Sequence, residues 1–196
     1  MLEAPQPPRK GRPRDPGTDA AIRSATMSVL SERGYQGLSI TVVAGRAGVS
    51  RPSVYRRYPS KVDLVVAALH GLAPGPVGPL PERTREAVGV LLAGAAVALG
   101  SPGALIILGS LLAEGSREPE LADAVRSSVF GPHRATVHAL LREGMSRGEV
   151  ADDLDVEVAD ALLFGALIAR AMLGGETDDQ WVPRVMDVAW RALEAP

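Results

Sequence analysis

Apolar residues recur every three to four positions along most of this chain, a spacing that predicts helices, and no strand signal competes with it. Ile22, Ala25, Thr26, Val29 and Leu30 mark a first helix over about Thr18–Arg33, which Gly34 stops. Tyr35, Leu38 and Ile40 read as core residues leading into two short helices. Ser39 caps the first of these, because its hydroxyl accepts from an orphaned backbone N–H. Val43, Ala44 and Ala47 form its apolar face, and Gly48 ends it in the left-handed conformation that glycine adopts cheaply. Ser50 caps the second, with Pro52 in the first turn, where a missing N–H is tolerated. Leu64, Val65, Ala68 and Leu69 then predict a connecting helix over 62–72. The Pro/Gly run 73–81 forbids its continuation. Beyond it the pattern predicts helices at about 82–99, 103–115, 119–146, 155–173 and 178–194, with Pro132 kinking or splitting the third of these. The expectation is an all-α protein of about nine helices. Residues 1–17 form a disordered basic arm, 18–61 a three-helix head, 62–72 a connecting helix, 73–81 a linker and 82–196 a helical body.

The two short helices follow helix-turn-helix grammar. Val49 and Val54 point inward, which leaves Arg51, Ser53, Tyr55, Arg56 and Arg57 available to a partner in a major groove. Ala44-Gly45-Arg46-Ala47-Gly48-Val49-Ser50, followed by Ser53-Val54-Tyr55-Arg56-Arg57-Tyr58-Pro59-Ser60-Lys61, resembles the DNA-binding signature of the TetR/AcrR transcriptional regulators. The likeness covers about residues 15–72, and Tyr58 stands where many members have Phe. The resemblance implies that Arg51 and Ser53 reach base edges, and that Thr41 touches a phosphate or a base. It places Tyr55, Tyr58 and Lys61 on phosphates, with Tyr58 shared between that role and the core. Arg56 and Arg57 divide between bases and backbone, in an order the sequence leaves open.

Charge adds a polarity to this picture. The net charge is −2, but residues 1–61 carry a balance of +7 and residues 62–196 one of −9. A basic head attracts phosphates and an acidic body is repelled by them, which orients the molecule on DNA. Within the arm, Arg9-Lys10-Gly11-Arg12-Pro13-Arg14 is similar to an AT-hook core. Arg12 and Arg14 either enter a minor groove or belong to a solvated basic tail. There are no cysteines, which excludes disulfides, Cys-ligated zinc and thiol nucleophiles. The N-terminus carries no apolar signal-peptide core, so the cytoplasm is the expected location. From Ala87 to Ala113 there are 27 uncharged residues. Pro102 and the nearby glycines break that run, so it reads as two buried helices rather than a membrane span.

Catalytic and metal chemistry find no grouping. His133 and His138 are five apart, the wrong spacing for two ligands on one helical face, although either is free to line a pocket. Asp152-Asp153-Leu154-Asp155-Val156-Glu157 lacks the glycine and final glutamate of a calcium loop and reads as helix-start capping. No cofactor is expected. Ala161, Gly165 and Ala169 recur every four residues as a smooth strip for close helix approach, and Trp181, Val185, Val188 and Trp190 supply large apolar anchors. The TetR/AcrR resemblance implies that these two helices form a four-helix dimer bundle. Apolar faces suggest Leu91, Ala95, Leu105, Leu108, Leu112, Val137 and Leu141 as the lining of a pocket for a small, largely apolar effector. The reading is a homodimeric, ligand-responsive regulator of operator DNA, most readily a repressor and not an enzyme. A constitutive dimeric DNA-binding protein without an effector is the alternative.

Overall fold

The structure, a computed structural model, describes residues 15–70, 78–175 and 180–194. Arg12 and Arg14, the rest of the arm and most of the Pro/Gly run lie outside them. Every regular element among the described residues is helical: α1 Pro16–Arg33, α2 Ile40–Ala47, α3 Arg51–Tyr55, α4 Lys61–His70, α5 Thr84–Gly100 and α6 Ala104–Glu114. They are followed by α7 Pro119–Val125, a π turn Arg126–Phe130, α8 Gly131–Ser146, α9 Val156–Met172 and α10 Trp181–Leu193.

Local chemistry accounts for the ends of these helices. Asp15 caps α1 by accepting from Gly17 N–H at 3.1 Å, and Pro16 occupies the first turn. Ser39 Oγ accepts from Val42 N–H at 3.2 Å, and Ser50 Oγ from Ser53 N–H at 3.3 Å. Gly48 adopts φ 67°, so its N–H turns back to α2 carbonyls while the chain reverses into α3. Asp155 accepts from Glu157 and Val158 N–H, which gives the acidic run its expected place at the head of α9.

α5 and α6 meet at 88°, and no single helix among the described residues is long and apolar enough to cross a membrane. The predicted break near Pro132 is a π turn. Gly131 N–H reaches back five residues to Arg126 C=O, and Pro132 then opens α8, where its missing N–H is harmless. α7, the π turn and α8 therefore run on as one interrupted helix.

Two cores result, and they do not follow the chain division. The first holds Ile22, Val29, Leu30, Val43, Val54 and Leu64 of the head, but also Ile107 and Leu111 of α6 and Leu121 and Val125 of α7. The second holds Leu92, Val137, Leu141, Leu163, Leu167 and Trp190, from α5 and α8 to α10. Thus α6 and α7 pack with the head, and the helix that starts in one core ends in the other.

Candidate nucleic-acid interface and cleft

The short α3 is capped by Ser50 and held from beneath by fully buried Val54, so its opposite side faces outward. Arg51, Tyr55 and Arg56 stand exposed there, and Thr41 is exposed at the start of α2. Three cation- or phenol-bearing side chains on one open helical turn suit phosphate contacts and base-edge hydrogen bonds.

The other expected contacts are engaged within the chain. Arg57 is turned inward: its Nε pairs with Asp19 Oδ1 of α1 at 2.7 Å, and its Nη1 donates to Ser53 Oγ at 2.9 Å. Arg56 thus points outward, and Arg57 ties the end of α3 to α1. Ser53 is half-buried and its hydroxyl accepts from Arg57, with its own O–H left to donate. Tyr58 is 9 % exposed and belongs to the head core, because its ring fills the space beneath the turn after α3. Lys61 is half-buried, with Nζ 3.9 Å from the centroid of the Tyr35 ring. Burial pushes the Lys61 ammonium down, and Glu118 and Glu114 oppose that shift. Arg46 is held by Glu32 and Ser28 of α1, and the Glu32 carboxyl is lowered to about 2, first by hydrogen bonds from the Arg46 guanidinium and Ser28.

A polar seam joins this head to α6. Gln36 Nε2 donates to Glu114 Oε2 at 2.7 Å, and Glu114 is buried. At the far end of the head, His70 Nε2 of α4 bonds Ser128 C=O in the π turn.

The body contains a small cleft of about 200 Å³ including its open mouth. Its walls are Val88 and Leu92 of α5, His133 and Val137 of α8, and Asp160, Leu163 and Phe164 of α9. Of the seven residues suggested from apolar faces, only Val137 lines it. Leu91, Ala95 and Leu141 are closed into the second core, Leu105 and Leu108 are half-buried on α6, and Leu112 is 71 % exposed. α6 packs against α1 and α7 as well as α5, and no residue of α6 lines the cleft.

The cleft's polar members are the ones that periodicity passed over. Asp160 is 4 % exposed; its Oδ2 accepts from Arg134 Nε at 2.9 Å and lies 3.4 Å from His138 Nε2. Burial lowers the His133 imidazole, with Asp160 opposing that shift. The available signal was the single charge of Asp160 on the face that also carries Ala159, Leu163 and Leu167. Phe164 also packs edge-on against Phe130 of the π turn, with centroids 6.2 Å apart. Phe130 in turn rests on the head core. No cluster of three His, Cys, Asp or Glu fit for a metal occurs among the described residues.

The strip Ala161, Gly165 and Ala169 lies on the surface of the subunit, and a Cβ built on Gly165 meets nothing within 4 Å. On the same helix Leu162 is 64 % exposed and Met172 72 %, and Val188 of the neighbouring α10 is 73 % exposed. Trp181 and Val185 of α10 are half-buried, with the Arg170 guanidinium 4.5 Å from the Trp181 ring centroid. Trp190 faces the other way: it is 5 % exposed and fills the subunit's own second core. α10 has one broad apolar stripe opposite Arg184, Asp187 and Arg191, with Trp190 at its inner edge and Val188 at its outer edge.

Comparisons with known proteins cover both halves of this architecture. Residues 22–68 match the family "Bacterial regulatory proteins, tetR family", and residues 82–189 match "Tetracyclin repressor-like, C-terminal domain". The HTH-type transcriptional regulator YdeS of Bacillus subtilis (strain 168) is 28% identical over 95% of this chain and 95% of its own length. The HTH-type transcriptional repressor KstR of Mycolicibacterium smegmatis is 32% identical over 86% of this chain and 71% of its own. Among solved structures, the fatty acid degradation regulator FadR from Bacillus halodurans superposes with a TM-score of 0.68 at 19% identity. That superposition covers 94% of this chain and the whole of FadR's, and it shows a shared fold.

Proposed function

The chain belongs to the tetR family of bacterial regulatory proteins, and from that premise we propose that it is a homodimeric repressor released from its operator by a small-molecule effector. Two heads read two half-sites through Arg51, Tyr55 and Arg56 of α3, with Thr41 beside them. The exposed strip of α9, flanked by Leu162, Met172 and Val188, meets its copy and fixes the separation of the heads. The protein acts in the cytoplasm, where its operator is, and binding rather than catalysis is its work.

The observation that carries effector control is the Phe130–Phe164 contact. Phe164 lines the cleft, and Phe130 sits in the π turn that His70 ties to α4. A molecule that displaces Phe164 therefore disturbs the element on which α4 and the head rest. Release follows from linkage: the effector empties the operator only as far as it binds the DNA-incompetent state more tightly. A constitutive dimer is the second reading, and the cleft's size favours it, since the enclosed space holds about one water.

A genome-wide footprint of the full chain, followed by anisotropy titration on the operator it identifies, tests both. Occupancy that no metabolite extract reduces favours the constitutive dimer. Occupancy that falls with a fractionated metabolite supports the effector.

A further inference from the structure

Building on the effector reading above, we infer that the cleft between α5, α8 and α9 takes a neutral, largely apolar molecule bearing a hydroxyl, which donates its hydrogen bond to Asp160. The walls Val88, Leu92, Val137, Leu163 and Phe164 are apolar and select an apolar body. The polar group among them is a carboxylate whose surroundings are already nearly balanced. Arg134 and His138 both approach Oδ2, at 2.9 and 3.4 Å, so Oδ1 is the oxygen left for a ligand donor.

Charge decides between ligand classes. A ligand carboxylate would sit beside a buried carboxylate, and the two repel in a medium that screens poorly. A ligand ammonium would compete with Arg134 for the same oxygens and leave an excess cation inside an apolar wall. A hydroxyl costs least to desolvate and can donate to Oδ1, the oxygen that neither Arg134 nor His138 approaches. His133 lies against Phe164 with ring centroids 6.1 Å apart, and burial lowers its imidazole, which favours the uncharged ring. It therefore offers the same hydroxyl a nitrogen without adding charge. The space now present is about that of one water. Entry of a larger body must therefore move Phe164, the residue that touches the π turn.

The test is calorimetric, on the full native chain, with four matched probes: para-butylphenol, para-butylanisole, para-butylbenzoate and para-butylbenzylamine. The expected order puts the phenol first, on the order of tenfold to a hundredfold tighter than its methyl ether, as for a hydrogen bond to a charged acceptor. Asp160→Leu, and Asp160→Leu combined with Arg134→Leu to avoid an orphaned guanidinium, should each erase that preference while helical circular dichroism stays intact. Equal binding of phenol and ether, tighter binding of the benzoate or benzylamine, or no binding of any probe overturns the inference, and needs no variant to be seen. Operator release, read by anisotropy, separates this from the effector reading. Preferred phenol binding without release upholds the cleft chemistry and defeats effector control. Release by the benzoate does the reverse.

Discussion

Arg57 and Asp19 form an ion pair at 2.7 Å that locks α3 onto α1, with only 13 % and 25 % of the two side chains exposed. One of the basic residues of the signature thus helps to build the head. Arg57→Ala strands the carboxylate and removes the bond to Ser53 Oγ. It should lower the stability of the full chain by about 1–3 kcal/mol. Denaturant titration measures this, and operator specificity, once corrected for the unfolded fraction, should be unchanged. A specificity change in a chain of native stability would return Arg57 to the reading face.

Arg51 stands exposed in the first turn of α3, where we propose that it contacts a base. Arg51→Ala should cost about 1–3 kcal/mol at one base pair and relax specificity there. Titrations against single-mismatch operators check it, and equal losses at every position would assign Arg51 to the backbone instead.

Lys61 behaves differently, because its ammonium lies over the Tyr35 ring at 3.9 Å. Lys61→Met keeps the apolar stem but removes the charge. The slope of log affinity against log salt should fall by less than one phosphate contact, since this cation already has a partner. A drop equal to a full contact would mean that the ammonium leaves the ring on DNA.

Gly165 sits in open space on α9, so Gly165→Glu has room within the subunit. The carboxylate should be harmless to the fold but costly where two strips meet. Sedimentation should then find a folded monomer with weak operator binding. An intact dimer would move the interface elsewhere on the surface.

Acid should act through His133. Its folded value lies below the ordinary 6.5 because of burial, so the unfolded chain binds the proton more readily. The stability it contributes is fully present above about pH 6.5 and is lost as pH falls through the depressed folded value. Melting curves from pH 7.5 down to about 5 should show native chain losing stability faster than His133→Gln. Parallel curves would leave His133 without a part in the acid response.

The head was legible in the sequence almost to the residue. The periodic set Ile22, Ala25, Thr26, Val29 and Leu30 is the buried set of α1, and Ser39, Gly48 and Ser50 do what local chemistry requires of them. Local rules suffice there because the caps and turns lie within four residues of their partners. The body resisted for the same reason in reverse. α10 carries one broad apolar stripe opposite Arg184, Asp187 and Arg191, and Trp190 and Val188 lie at its two edges, so only packing placed one inside and one outside. Arg57 and Asp19 are far apart in the chain, and Arg134 and Asp160 lie on different helices, so neither pair leaves a periodic trace. The leucines of α6 are apolar all round, and the direction they face depends on the 88° corner after α5.

The π turn has a consequence for how this chain tolerates insertions and deletions. Leu121 and Val125 before it are buried in the head core, while Val137 and Leu141 after it are buried in the body core. Successive helical residues advance by about 100°, so the one additional residue in a π turn resets the angular phase between those two buried faces. Ser127 is exposed and looks like a site where a deletion would pass unnoticed. Removing it would restore an unbroken α-helix whose second half is turned out of phase, carrying Val137 and His133 away from α9 while leaving α7 in place. Chain length here sets an angle rather than a reach, and a single residue keeps the two cores in step.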